Sequence, residues 1–122
     1  MEFLLLMLLY QIKHHYADFM IQSYEQTVRK GVYGDAVGIS HSMDHVWTSL
    51  SALMIFSIFY PVKPMVIVAV SVIEGMLHYH IDWIKARYGT KNMTTPMFWG
   101  QFGLDQFAHQ ISYIAAIYLI LL

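Results

Sequence analysis

Residues 14–19 read HHYADF, and residues 78–83 read HYHIDW. In each stretch a histidine is followed four positions later by an aspartate and then an aromatic: His14, Asp18 and Phe19; His78, Asp82 and Trp83. Two further pairs share the spacing, His41 with His45 and Asp105 with His109. On a helix, positions i and i+4 lie on one face a turn apart. Metal sites use that spacing because two ligands then converge without bending the backbone. One such pair is a weak signal in a chain with seven histidines. The pattern across the pairs is stronger: adding 64 to positions 14, 18, 41 and 45 gives 78, 82, 105 and 109. The sequence therefore predicts a duplicated helical hairpin, with halves of about 1–60 and 64–122 in parallel orientation about an axis along the membrane normal.

Outward from these motifs the chain is apolar. Hydrophobic residues make up 57% of its 122 residues and charged residues 12%, against a usual charged share of roughly 25%. Segments 3–12, 46–62, 64–73 and 110–122 hold no Asp, Glu, Lys or Arg. Punctuation at Gly31, Gly34 and Gly38, at Pro61 and Pro64, and from Gly89 to Pro96 divides the chain into four helices. Their predicted spans are 3–29, 36–60, 64–88 and 96–121, the second starting anywhere from Asp35 to Ser40. The grease comes first in helices one and three and last in two and four, so an up-down-up-down order gathers all four polar ends on one side.

The expected fold is thus all-α: a single-domain, four-helix transmembrane bundle. A soluble bundle with a greasy core is the alternative, but too few charges are present to solvate four helix backs. Of seven Lys and Arg residues only Lys63 falls at the apolar end; Lys13, Arg29, Lys30, Lys85, Arg87 and Lys91 fall in the polar half. The positive-inside rule makes the polar side cytoplasmic. The acidic N-terminus, with Glu2 where a signal peptide carries bases, reads as the mature start of a helix. Near-zero net charge without a basic stripe argues against a nucleic-acid partner. With no cysteine, any metal must be held by imidazole, carboxylate, carbonyl or water.

Counted from the apolar helix ends, the eight paired residues lie about 11 to 19 residues up, or roughly 17–28 Å at helical rise. One layer therefore holds His14, Asp18, His41, His45, His78, Asp82, Asp105 and His109, all expected metal ligands. Ionisable groups at this depth cost several kcal/mol unless they converge on a metal or on each other. Five histidines and three aspartates exceed the needs of one tetrahedral zinc, and two ions sharing a bridging carboxylate or water suit the duplication. Zinc, manganese and iron all accept such a set. The di-iron signature Glu-x-x-His is absent, because Glu74 precedes His78 by four. His15, His80 and Asp44 point elsewhere by helical phase; Gln22 and Gln106 are placed to orient ligands or bridge helices.

The ordered set His14-x3-Asp18-Phe19-x2-Gln22, His41-x3-His45, His78-x3-Asp82-x2-Lys85 and Asp105-Gln106-x2-His109 resembles domain-of-unknown-function family 3307. These are small multi-pass membrane proteins of bacteria and their phages, similar to the YdjM-like "membrane-bound metal-dependent hydrolases". The resemblance implies a metallohydrolase with no defined substrate, located in a bacterial inner membrane. The residues suggest a phosphoester, such as a lipid headgroup or lipid-linked intermediate, at the bilayer surface. His45 is then a ligand or general base, and Lys85 stabilises developing negative charge. The competing expectation is a non-catalytic, metal-stapled module, phage-encoded and binding a host membrane partner. Ion or proton transport ranks last, since the polar layer lies toward one end and not at the midplane.

Overall fold

The computed structural model describes residues 1–122 and is all-helical, with five α-helices and no strand. Helix α1 spans Glu2–His15 and passes without interruption into one π-helical turn, Tyr16–Met20. A short helix α2 follows at Tyr24–Arg29. The long helices α3 (Ala36–Phe59), α4 (Pro64–Tyr88) and α5 (Pro96–Leu121) complete the chain.

The single first helix expected over 3–29 is corrected to three pieces. Ser23 accepts a hydrogen bond from the Gln26 backbone N–H at 3.1 Å, and the Ser23 N–H donates to Gln26 Oε1 at 2.8 Å. This reciprocal capping box starts a new helix where the older one would have continued. Ahead of it the Ile21 N–H reaches Tyr16 O at 3.1 Å, the i→i+5 bond of a π turn. The other three boundaries follow their caps. The Asp35 carboxylate accepts from the Val37 and Gly38 N–H groups, which fixes the start of α3 at Ala36. The same carboxylate pairs with Arg29, whose hydrogen bonds hold Asp35 below the usual carboxylate range. Pro64 and Pro96 occupy first-turn positions where no N–H is needed. Gly34 makes the α2–α3 turn at φ +78°, a conformation that L side chains resist.

Helix α4 packs against α3 and α5, and α1 lies across α3 and α5. The apolar core takes Leu6 and Tyr10 from α1, Leu53 and Phe56 from α3, Ile67 and Val70 from α4, and Tyr113, Ala116 and Ile117 from α5. Those positions are early in α1 and α4 and late in α3 and α5, so the helices alternate in direction. The paired His and Asp residues occupy the opposite ends. At the α3–α4 crossing, a Cβ on Gly75 would overlap Val46 Cγ2 and meet Ser42 O at 3.3 Å, so only glycine permits this approach. One helix, α4, is long and apolar enough to cross a membrane.

Candidate metal centre

The π turn is what brings Asp18 into the bundle. An i→i+5 turn inserts an extra residue relative to an α-helix, re-aiming the side chains beyond it. Asp18 Oδ1 lies 2.9 Å from His45 Nε2, 3.0 Å from His41 Nε2 and 3.5 Å from His78 Nε2. Asp82, one turn after His78 on α4, answers from the other side. Its Oδ2 is 3.3 Å from both His41 Nε2 and His78 Nε2, and its Oδ1 is 3.3 Å from His109 Nε2. His41 Nε2 and His78 Nε2 are themselves 3.4 Å apart. Six of the eight expected ligands therefore converge, from the π turn, α3, α4 and α5. They form two overlapping groups that share His78: Asp18, His41, His45 and His78; and His78, Asp82 and His109. The rings of His45, His78 and His109 stack in sequence, with centroids 3.4 and 4.1 Å apart. The four histidines at the centre are at most 1% exposed.

His14 and Asp105, also expected as ligands, stand beside this group. His14 Nδ1 is 2.7 Å from the Tyr113 hydroxyl and 3.1 Å from Asp18 Oδ2, while Nε2 is 2.9 Å from Gln106 Oε1. Both ring nitrogens are engaged, so His14 orients Asp18 from behind. Asp105 Oδ1 is 3.7 Å from His109 Nε2, and its Oδ2 accepts from Gln106 at 3.2 Å. Away from the centre, Asp44 accepts from Gln26 at 2.9 Å, His80 bonds the Met76 carbonyl at 2.7 Å, and His15 stacks on Phe19.

Three charged partners were not singled out by the sequence reading. Lys13 is buried, 2.8 Å from Glu74 Oε1 and 3.2 Å from His45 Nδ1. Glu74 Oε2 also accepts from the Ser49 hydroxyl at 2.6 Å. Lys30 Nζ is 3.1 Å from Asp82 Oδ2 and 3.1 Å from Gln22 Oε1. A signal for Glu74 was present: it is the one acid between Asp44 and Asp82, and an ionisable residue in an apolar helix implies a partner. Lys85, expected to stabilise negative charge, lies over the Phe102 ring at 5.2 Å and lines one cavity with Asp18 and Asp82.

Do these residues suit a cation? Ligand atoms sharing one ion at about 2.0–2.2 Å are roughly 3–3.5 Å apart, and the Nε2–oxygen distances of the inner group are 2.9–3.5 Å. Hydrogen bonds have similar lengths, so the charge count is the second test. Asp18, Asp82, Asp105 and Glu74 bring four carboxylates, and Lys13 and Lys30 bring two ammonium groups. With neutral imidazoles the cluster keeps two negative charges, which one divalent cation cancels. Protonation of His41, between Asp18 and Asp82, and of His109, between Asp82 and Asp105, would cancel the same two charges. His41, His78 and His109 also have Nδ1 atoms buried without a protein partner, so each can hold its proton there and present the Nε2 lone pair inward.

A cavity of about 700 Å³ reaches the cluster, with Asp18, Asp82, Asp105 and Gln106 in its lining. Its walls carry Lys30, Lys85, Arg87 and Lys91 together with Phe19, Phe98 and Phe102. Lys30 is engaged by Asp82, whereas Lys85, Arg87 and Lys91 have no carboxylate within ion-pairing distance. The opening thus combines free positive charge with aromatic surface.

No curated protein and no solved structure matches this chain. A family model, described as protein of unknown function (DUF3307), matches residues 4–122. That match takes in all five helices but the first two residues of α1, and every residue of the centre, so the chain belongs to the DUF3307 family.

Proposed function

We propose that this chain is a membrane-embedded, metal-dependent hydrolase acting on a phosphoester at the cytoplasmic face, such as a lipid headgroup or lipid-linked intermediate. The observation that carries the reading is the pair of buried groups joined at His78, one of Asp18, His41 and His45 and the other of Asp82 and His109, with Asp18 and Asp82 lining a cation-walled cavity. Charge balance favours one divalent ion in the resting centre, with a second accommodated only alongside an anionic substrate.

When bound, such an ion supplies Lewis acidity, lowering the pKa of water and polarising a phosphoryl oxygen. The chain's own residues do the rest. Asp18 and Asp82 hold the centre from opposite sides. Lys85, Arg87 and Lys91 draw in the phosphate and offset its charge. Phe98 and Phe102 cover the wall behind it, and Gln106, held by His14, keeps Asp105 turned toward His109.

Membrane insertion of α1 with its π turn and of α3, α4 and α5 is part of the proposal. Outward-facing Leu8, Met54, Ile58, Met65, Ile73 and Leu119 are exposed along the apolar halves, which suits contact with acyl chains. The cations around the cavity then sit at the cytoplasmic headgroups. A duplicated hairpin accounts for the constant offset between the pairs, with the π turn present in the first half alone. Cysteine labelling from each side of the membrane tests the topology: modification of a Cys placed at Val62 from the cytoplasmic side would sink it.

The test of function is turnover of phospholipid and lipid-linked phosphoesters by zinc- or manganese-loaded protein, beside a variant carrying Asp18→Asn and Asp82→Asn. Turnover lost in the variant supports the reading; equal turnover contradicts it. One observation favours a second reading. The two groups joined at His78 tie together the π turn, α3, α4 and α5, as a structural staple would. Unfolding on chelation, without turnover of any phosphoester, would favour the non-catalytic module.

A further inference from the structure

We infer that His45 is a hydrogen-bond donor to Asp18 and not a metal ligand, its tautomer fixed by the buried Lys13–Glu74 pair. The assignment of ligands rests on the metal-centre reading; the tautomer does not.

Lys13 is 4% exposed and has nowhere to send its hydrogens except into the bundle. Three directions are taken: Glu74 Oε1 at 2.8 Å, His45 Nδ1 at 3.2 Å, and the face of the Tyr113 ring at 4.6 Å. An ammonium group has no lone pair, so on the Lys13–His45 contact it can only donate. His45 Nδ1 therefore accepts, and the proton of the neutral ring is on Nε2. That atom is 2.9 Å from Asp18 Oδ1, the shortest imidazole–carboxylate distance in the cluster.

A metal would need the lone pair that this proton occupies. The other three inner histidines differ, since His41, His78 and His109 have no protein donor on Nδ1. The result is a directed chain, with Ser49 donating to Glu74, Lys13 bridging Glu74 and His45, and His45 donating to Asp18. It crosses from α3 and α4 through α1 and back to α3, and it ends on the residue that the π turn aims inward. Lys13 and His45 are thus positioning residues: His45 fixes Asp18 Oδ1 toward His41 and His78, while His14 holds Oδ2 at 3.1 Å. The ligand set becomes His41, His78, His109, Asp18 and Asp82. Outer partners of this kind typically change metal affinity by 10–100-fold when removed.

Long-range ¹H–¹⁵N NMR on histidine-labelled, metal-free protein in detergent reads the tautomer directly. His45 is expected to show an unprotonated Nδ1 and a protonated Nε2, and to lose that fixed pattern in Lys13→Met. An Nδ1-protonated His45 in the wild-type chain overturns the inference whether or not the protein binds metal. Zinc titration supplies the second readout. His45→Gln, whose amide can still donate to Asp18, is expected to bind zinc within about tenfold of wild type, while His78→Gln loses more than 100-fold. Equal losses in the two variants contradict the ligand assignment. If wild-type protein takes up no zinc, the metal-centre reading fails, and the NMR result still decides the tautomer.

Discussion

Replacing Lys13 by Met should destabilise the bundle by stranding a buried carboxylate. Met keeps the length of the side chain and its contact with the Tyr10 and Tyr113 rings, but removes the ammonium group. Glu74, 1% exposed, then keeps one bond from Ser49 and no counter-charge, and His45 Nδ1 loses its donor. Removing one partner of a buried ion pair costs about 3–5 kcal/mol, because the survivor is left charged in low dielectric. Protonation of Glu74 relieves part of this, which sets the expectation near the lower end. Glu74→Gln should cost less, since Lys13 retains His45 and the tyrosine face. In the double variant no unpaired charge remains, and replacement of a buried pair by neutral groups is often close to neutral. The two single effects should therefore exceed the double effect by at least about 2 kcal/mol. Tryptophan-monitored unfolding of the detergent-solubilised protein in a denaturant series gives all four corners of the cycle. Additive effects, or single substitutions costing under about 0.5 kcal/mol, would refute the claim that these charges meet in a buried pair.

Other outcomes follow from the same geometry. Gly75→Ala places a methyl group against Val46 and the Ser42 carbonyl, and overpacking of this kind should lower stability by about 1–3 kcal/mol in the same unfolding assay. Ser23→Ala removes half of the capping box, so amide exchange should quicken across Tyr24–Arg29 while the long helices keep their protection. Added zinc or manganese should raise the unfolding midpoint in a concentration-dependent way, by about 2.7 kcal/mol of stability at 100 times the dissociation constant; no shift at saturating ion counts against a site in the folded chain. Lys85→Met with Arg87→Met should weaken retention of a phosphate-bearing headgroup without changing metal content. Loss of metal instead would mean that these cations support the centre itself.

Much of this architecture is written in local patterns. Pro64 and Pro96 at first helical turns, Asp35 as a cap, and the i, i+4 pairs each act within a few residues, so their consequences can be read from the chain. The break at Ile21–Ser23 was legible in principle from Ser23 and Gln26, but the strong apolar continuity on either side masked it. The π turn had no such signature, because its extra residue is held by packing of Asp18 against three histidines from α3 and α4. The roles within the cluster were also hidden. Eight residues at one height looked equivalent, yet His14 is claimed by Tyr113 and Gln106, and His45 by Lys13. Which nitrogen of a ring is occupied depends on partners 27 to 99 residues away, and no periodicity encodes that.

The central claim is that the inner His and Asp residues hold a divalent cation, and elemental analysis of purified protein tests it most directly. Inductively coupled plasma mass spectrometry should find about one equivalent of a divalent transition metal per wild-type chain, and a small fraction of that in the Asp18→Asn, Asp82→Asn variant with its helical circular dichroism retained. Metal-free wild-type protein that takes up none on incubation with zinc, manganese or iron, while remaining folded, would contradict the claim and leave the cluster as a network of buried hydrogen bonds.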